Sequence, residues 1–316
     1  MIRMLATAVL LALAWYAALN VAASMLAWIA ARAILPTRNA DRPATLLAIR
    51  MLPSALSIFF VVALFVPAHW RFEPRDARDP IGLLLKLMAA LGAALLLRCV
   101  MRAVAVSKAE WRLHAWFTAA GQKRGPSVRV VEGLPGLTLA GLVRPLILVG
   151  SAARRQLTPA ELDVALAHER AHKRAFDNIK RVLMFSAPDV FGLTRAGRQI
   201  EARWRESAEL VADARAVHGD RARAVHLASA LVKVARLEPA ASHPRVGSPV
   251  WSTLHEGALL ELRVRRLLEG APVEPREGRW SPAVAAAIAL GGAAICGPIG
   301  AYGVHQATEL LVRFLP

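Results

Sequence analysis

Residues 4–31 are apolar almost without interruption, and that run decides what surrounds this chain before any motif is read. As a helix rising 1.5 Å per residue it reaches about 40 Å, more than the roughly 30 Å of a bilayer's hydrocarbon core. A cleaved signal peptide is the competing reading, because Val21-Ala22-Ala23 offers a small-residue site. The run is too long for that and continues past the site. Two more apolar runs follow at 46–68 and 81–104, with Arg50, Lys86 and Arg98 near their ends, where long side chains can snorkel to the interface. A fourth, rich in Gly and Ala, extends from Ser281 to about Val304, and Trp28, Trp70 and Trp280 stand at span edges. The 56% apolar content and mean hydropathy of +0.40 agree: they exclude a disordered or fibrous protein and weigh against a wholly soluble one.

A net charge of +17 raises nucleic acid as a partner. Its distribution argues against that: residues 106–280 hold 28 basic and 18 acidic side chains, scattered over every predicted helix rather than gathered on one recognition element. The remaining 12 basic and 5 acidic groups flank or interrupt the apolar runs. Between spans one and two lie Arg32, Arg38 and Arg42, whereas Arg71, Arg75 and Arg78 between spans two and three are balanced by Glu73, Asp76 and Asp79. The first loop is therefore predicted cytoplasmic, which puts the N-terminus outside, residues 106–280 inside and the tail after span four outside. Cys99 and Cys296 both sit in apolar runs, so neither a disulfide framework nor a cysteine zinc site is expected.

The expected division is three spans over 1–105, a soluble region over 106–280 with its own core, and a fourth span with a short tail over 281–316. Lys108–Phe117 is basic and aromatic and reads as an interfacial segment, or as a continuation of span three. Ser127–Glu132 and Leu137–Val149 read as strands, with Gly133 and Pro135 marking the turn between them, and the rest of the region reads as helical. Thr158-Pro159-Ala160-Glu161 combines a capping box with Pro at the first helical position, so a helix begins there and is expected to run to Ala187. Further helices are expected over Arg195–Val217, from a cap at Asp220 to before Pro239, and over Thr253–Leu268, followed by a linker over Ala271–Pro282.

Inside the first of these helices stands His168-Glu169-Arg170-Ala171-His172, the pattern HExxH. Histidines four apart share one helix face and can point at one metal ion, with Glu169 beside it to accept a proton from water. A solvated polar face is the plainer reading, given Arg170, Lys173 and Arg174. It is weakened by Glu209 and Asp213, two carboxylates four apart on an apolar helical stretch. A catalytic site needs a third protein ligand, which Glu209 can supply; Glu206, one turn earlier, is a rival, and a surface pairing with Arg205 or Arg215 is the alternative. With Glu209 as ligand, Asp213 is spaced to hold a histidine by its second nitrogen, and Asp177 can do similar work or form an ordinary ion pair. The only tyrosines, Tyr16 and Tyr302, lie in spans one and four, leaving His218, His226 or an arginine to steady charge on an attacked oxygen. The strand Leu137–Val149 could align a substrate by strand addition.

These residues, with VRPLILVG before the capped helix and the three-plus-one arrangement of spans, resemble the BlaR/MecR-type family of integral-membrane zinc metallopeptidases over nearly the whole chain. The HtpX-type proteases share HExxH and ExxxD but generally place two spans on each side. The resemblance implies a mainly α membrane protein with a cytoplasmic α+β zincin-like domain between spans three and four. It implies Zn2+ held by His168, His172 and Glu209, Glu169 as general base, and Asp213 in support. It also implies a zinc endopeptidase of the bacterial-type inner membrane, acting on a protein such as a winged-helix repressor, without direct nucleic-acid binding and compatible with a homodimer. Beta-lactam sensors of that family carry an extracytoplasmic penicillin-binding domain after the fourth span; only His305–Pro316 stand there in this sequence, so beta-lactam sensing is not expected of it. An HtpX-like quality-control protease and a non-catalytic adaptor with a vestigial metal site are the alternatives.

Overall fold

The computed structural model describes residues 2–37, 42–72, 82–124, 128–143, 145–237, 251–253, 259–270 and 298–314. Helix α1 (Ile2–Ile34), α2 (Pro43–Phe59) continued by a π-helical segment (Phe60–Phe65) and α3 (Val66–Phe72), and α4 (Leu83–Ala120) contain three stretches long and apolar enough to cross a membrane. The π segment precedes Pro67, which has no N–H to return to the preceding turn and whose ring crowds it; a wider turn relieves both problems. Small residues let these helices approach closely: Ala14, Ala17, Ala27 and Ala31 are buried, and a Cβ on Gly92 of α4 would strike the Leu13 carbonyl of α1.

Helix α4 runs without a break through Lys108–Phe117, so that segment continues span three instead of forming a separate surface element. Its extension meets a five-stranded sheet, order β1-β2-β4-β3-β5, made of β1 (Gly121–Arg124), β2 (Val128–Val131), β3 (Leu137–Ala140), β4 (Leu146–Gly150) and β5 (Trp251–Thr253). Only β2 and β4 run parallel. The run Leu137–Val149, expected as one strand, is a hairpin with Thr138 opposite Leu148. Gly141 takes a positive φ of 97°, and Pro145 fixes the backbone just before β4, so an unbroken aliphatic run hides a reversal. Strands β1 and β5 were not expected: GQKR carries little strand signal, WST is only three residues long although Trp and Thr favour strands, and the two are held by pairing to β2 and β3.

After α5 (Ser151–Gln156), the capping box forms as the sequence demands, with Thr158 N–H donating to Glu161 Oε2 at 2.8 Å and Glu161 N–H to Thr158 Oγ1 at 3.3 Å. The helix it starts divides in two, α6 (Pro159–Ala175) and α7 (Asp177–Ser186), because Phe176 adopts left-handed backbone (φ 56°, ψ 36°) with no Gly or Pro to announce it. Helix α8 (Arg195–Val217) has the expected limits, α9 (Arg221–Leu237) starts on Asp220 Oδ1, and α10 (Leu260–Glu269) begins later than expected because Thr253 belongs to β5. Most of the expected fourth span, residues 281–297, and the linker 271–282 lie outside the described residues. Helix α11 (Pro298–Phe314) covers its last part and continues through what was expected to be the tail.

One core cluster joins β3 and β4 to α6, α8, α9 and α10, and α4 packs Val106 against Val131, Ala140 and Leu148 of the sheet. Another is shared between the membrane helices and the region after them, with Ala27, Ala31 and Leu46 against Phe191, Ile200 and Trp204. Arg50, expected to snorkel to the interface, is instead buried: Nη1 donates to both oxygens of Asp189 (3.0 and 2.8 Å), Nε to Glu201 (2.6 Å) and Nη2 to the Met184 carbonyl (2.8 Å). A buried carboxylate satisfies the cation more fully than the interface would.

Candidate metal centre

Helix α6 carries His168 and His172 one turn apart, and α8 brings Glu209 and Asp213, also one turn apart, to the same place. Both pairings follow from helix geometry; the meeting of the two helices belongs to tertiary packing. All four side chains and Glu169 are buried. The two Nε2 atoms are 3.1 Å apart; His168 Nε2 lies 3.4 Å from Glu209 Oε2, and His172 Nε2 lies 3.3 Å from Glu209 Oε1. Ligand atoms held at 2.0–2.1 Å around a tetrahedral ion stand about 3.3 Å from one another, so these separations fit a first-row divalent cation. Two imidazoles and one carboxylate are also the donor set such an ion takes.

The other nitrogen of each imidazole faces a carboxylate: His168 Nδ1 is 2.9 Å from Asp213 Oδ1, and His172 Nδ1 is 2.7 Å from Asp177 Oδ2. That arrangement directs both ε nitrogens into the centre. The kink at Phe176 places Asp177 there, while its neighbour Asn178 donates to the Leu139 and Gly141 carbonyls at 3.1 and 3.0 Å and fastens α7 to β3. Burial alone lowers the histidine pKa values; Asp213 and Glu209 outweigh it and raise that of His168, and Glu209 with Asp177 raises that of His172 to about 10. Burial pushes Glu209 the other way, yet His172 and Arg263 hold its carboxyl well below the ordinary range. Metal ligation requires neutral imidazoles, so protons and a metal ion compete for these nitrogens.

Glu169 differs from its neighbours. Neither carboxylate oxygen has a hydrogen-bond partner among the described residues, and burial raises its pKa. An orphaned acid in a buried centre fits a proton acceptor waiting for water or substrate.

Two cations here were not anticipated. Arg263 of α10 binds Asp213 through Nε and Nη2 (2.8 and 2.7 Å) and Glu209 Oε2 through Nη1 (3.0 Å), and Arg181 Nη2 lies 3.4 Å from Glu209 Oε1. A signal for Arg263 existed: it falls on the apolar stripe of Leu260, Val264 and Leu267, where a charge needs a buried partner. Glu206 is half-buried and pairs with Arg203 at 2.7 Å, outside the centre. His218 caps α8 and His226 lies on α9; neither joins the cluster. Strand β3 has β4 on one edge and β5 on the other, so it has no open edge of the kind expected for strand addition.

The sequence pattern of the BlaR1 peptidase M56 family matches residues 81–263, more than half of the chain, from the start of α4 to Arg263. The chain belongs to this family. No curated protein matches it. Membership of the M56 family makes it a peptidase of a metal-dependent class, and the three long apolar helices make it a membrane protein. Within the matched span lie His168, His172 and Glu209, whose candidate ligand atoms all fall within 4.8 Å of one another.

Proposed function

We propose that this chain is a zinc endopeptidase of the inner membrane, with its N-terminus outside and its metal centre on the cytoplasmic side. Its substrate is a cytoplasmic protein, a winged-helix transcriptional repressor by resemblance, and cleavage transmits a signal. The observation that carries the reading is the buried His168–His172–Glu209 triangle with the unpartnered Glu169 beside it. Zinc in such a site supplies a Lewis acid for the peptide carbonyl and a water of lowered pKa.

The chain's own groups do the rest. Glu169 accepts the proton of the attacking water on a carboxylate oxygen and returns it to the departing amide nitrogen. Burial raises its pKa. Asp213 and Asp177 keep the imidazoles oriented through the exchange. Arg263 offsets the negative charge of Glu209 and Asp213, which burial would otherwise penalise.

Glu169→Gln is expected to bind zinc at the wild-type level and to lose peptide cleavage by about 10²–10⁴-fold. Metal content and turnover of the purified full chain are measured together. Cleavage at the wild-type rate by that variant overturns the general-base role, and zinc retained undiminished by His168→Ala and Glu209→Ala overturns the ligand set.

A further inference from the structure

Beside the metal centre, between α6, α7 and α8, lies a cleft of about 240 Å3 that the proposed chemistry does not use. Among the described residues, Arg174 of α6, Lys180 of α7 and Arg215 of α8, which has an interaction partner of its own, line it, against one carboxylate, Asp177. Asp177 is already engaged, by His172 Nδ1 at 2.7 Å and Lys180 Nζ at 3.4 Å. The wall thus carries more positive than negative charge. Alanines and a valine complete the lining, leaving space without offering side-chain hydrogen bonds. The cleft reaches Pro43, the first residue of the second membrane-crossing stretch.

These facts bear on one chemistry. Cations scattered over a convex surface gain little from an anion, whereas three around one concavity act on the same group. Arginine matches phosphate oxygens with its planar fork, and lysine adds a point charge. The location selects the source of the phosphate. A cleft at the first residue of a lipid-crossing helix opens at the level of the headgroups, where an anionic leaflet concentrates phosphate.

The geometry points to a lipid headgroup site: the cleft takes the phosphate of an anionic phospholipid, held by Arg174, Lys180 and Arg215. The occupant stands one side chain from His172, because Asp177 both lines the cleft and holds that imidazole.

The test uses the full chain in nanodiscs of phosphatidylcholine with or without phosphatidylglycerol, reading retained lipid by native mass spectrometry. Wild type is expected to retain phosphatidylglycerol in preference to phosphatidylcholine. Arg174→Ala/Arg215→Ala is expected to lower that preference about thirtyfold, at roughly fivefold per basic group near the surface. Arg155→Ala/Arg265→Ala, which removes two exposed arginines outside the cleft, is expected to leave it unchanged. Equal retention of the two lipids by wild type overturns the proposal without recourse to any variant. So does an equal loss in both double variants, which would mark general surface attraction. Calorimetric titration of inorganic phosphate into the phosphatidylcholine nanodiscs separates the two sources. Binding there without lipid preference assigns the cleft to a soluble anion and overturns the headgroup assignment.

Discussion

At the scale of single residues, buried charge organises the molecule, and the charges around the centre, Glu169 apart, are placed so that another satisfies them. Asp213 lies 2.9 Å from His168 Nδ1 and accepts from Arg263, so a neutral amide in its place removes a counter-charge from both. Asp213→Asn is expected to weaken zinc binding about 10–100-fold while Glu169 keeps its position; competition with a chromophoric chelator measures it. Unchanged affinity would remove Asp213 from the support of the centre. Glu161 shows the same logic away from the site. Burial raises its pKa, but Lys233, Ser229 and the Thr158 N–H more than reverse that and bring it to about 2. A carboxyl depressed in the folded state stabilises the fold above its unfolded pKa of 4.5, and that contribution disappears as the pH falls from there towards 2. Wild type is expected to exceed Glu161→Gln in stability by about 1–3 kcal/mol at neutral pH, the gap closing in acid. Denaturant unfolding in detergent at a series of pH values follows it, and a gap independent of pH would contradict the assignment.

At the scale of elements, the break between α6 and α7 matters most. An uninterrupted helix past Ala175 would carry Asp177 around the axis and away from His172 Nδ1; the left-handed turn at Phe176 brings it back. Phe176 is 63% exposed, so little packing depends on its ring and its backbone angle dominates the effect of a substitution. Phe176→Gly is expected to be tolerated, whereas Phe176→Val, β-branched at positive φ, is expected to be about 1–2 kcal/mol less stable than the Gly variant. Thermal unfolding of the pair decides it, and equal midpoints would show that the turn carries no such constraint. The sheet teaches a related lesson. Aliphatic content announced β2, β3 and β4, but the hairpin within Leu137–Val149 and the pairing of β1 and β5 depend on partners distant in sequence.

At the scale of the whole molecule, three membrane helices grip the short connection from α7 to α8, which joins the helix bearing Asp177 to the helix bearing Glu209. Tyr16 and Asn20 of α1 donate to the Pro188 carbonyl, Arg50 and Ser54 of α2 hold Asp189, and Arg98 of α4 donates to the Ala187 and Asp189 carbonyls. Arg50→Met leaves Asp189 buried without its counter-charge and is expected to cost about 3–5 kcal/mol, with Arg50→Met/Asp189→Leu recovering much of it. Unfolding midpoints in detergent give the answer, and an unaltered midpoint in the single variant would mean the clamp holds nothing. By itself the sequence determined the first three long apolar helices, the capped start of α6, the limits of α8 and the presence of two pairs of metal-competent side chains. Those follow from apolar length, local hydrogen bonding and the 3.6-residue repeat, all of which act between near neighbours in the chain. Only the tertiary structure decided that Glu209 and not Glu206 faces the histidines, that Arg263 stands behind both carboxylates, and that Arg50 turns inward to Asp189. A buried charge settles where an opposite charge from elsewhere in the chain can satisfy it, and that meeting is a property of the packed helices.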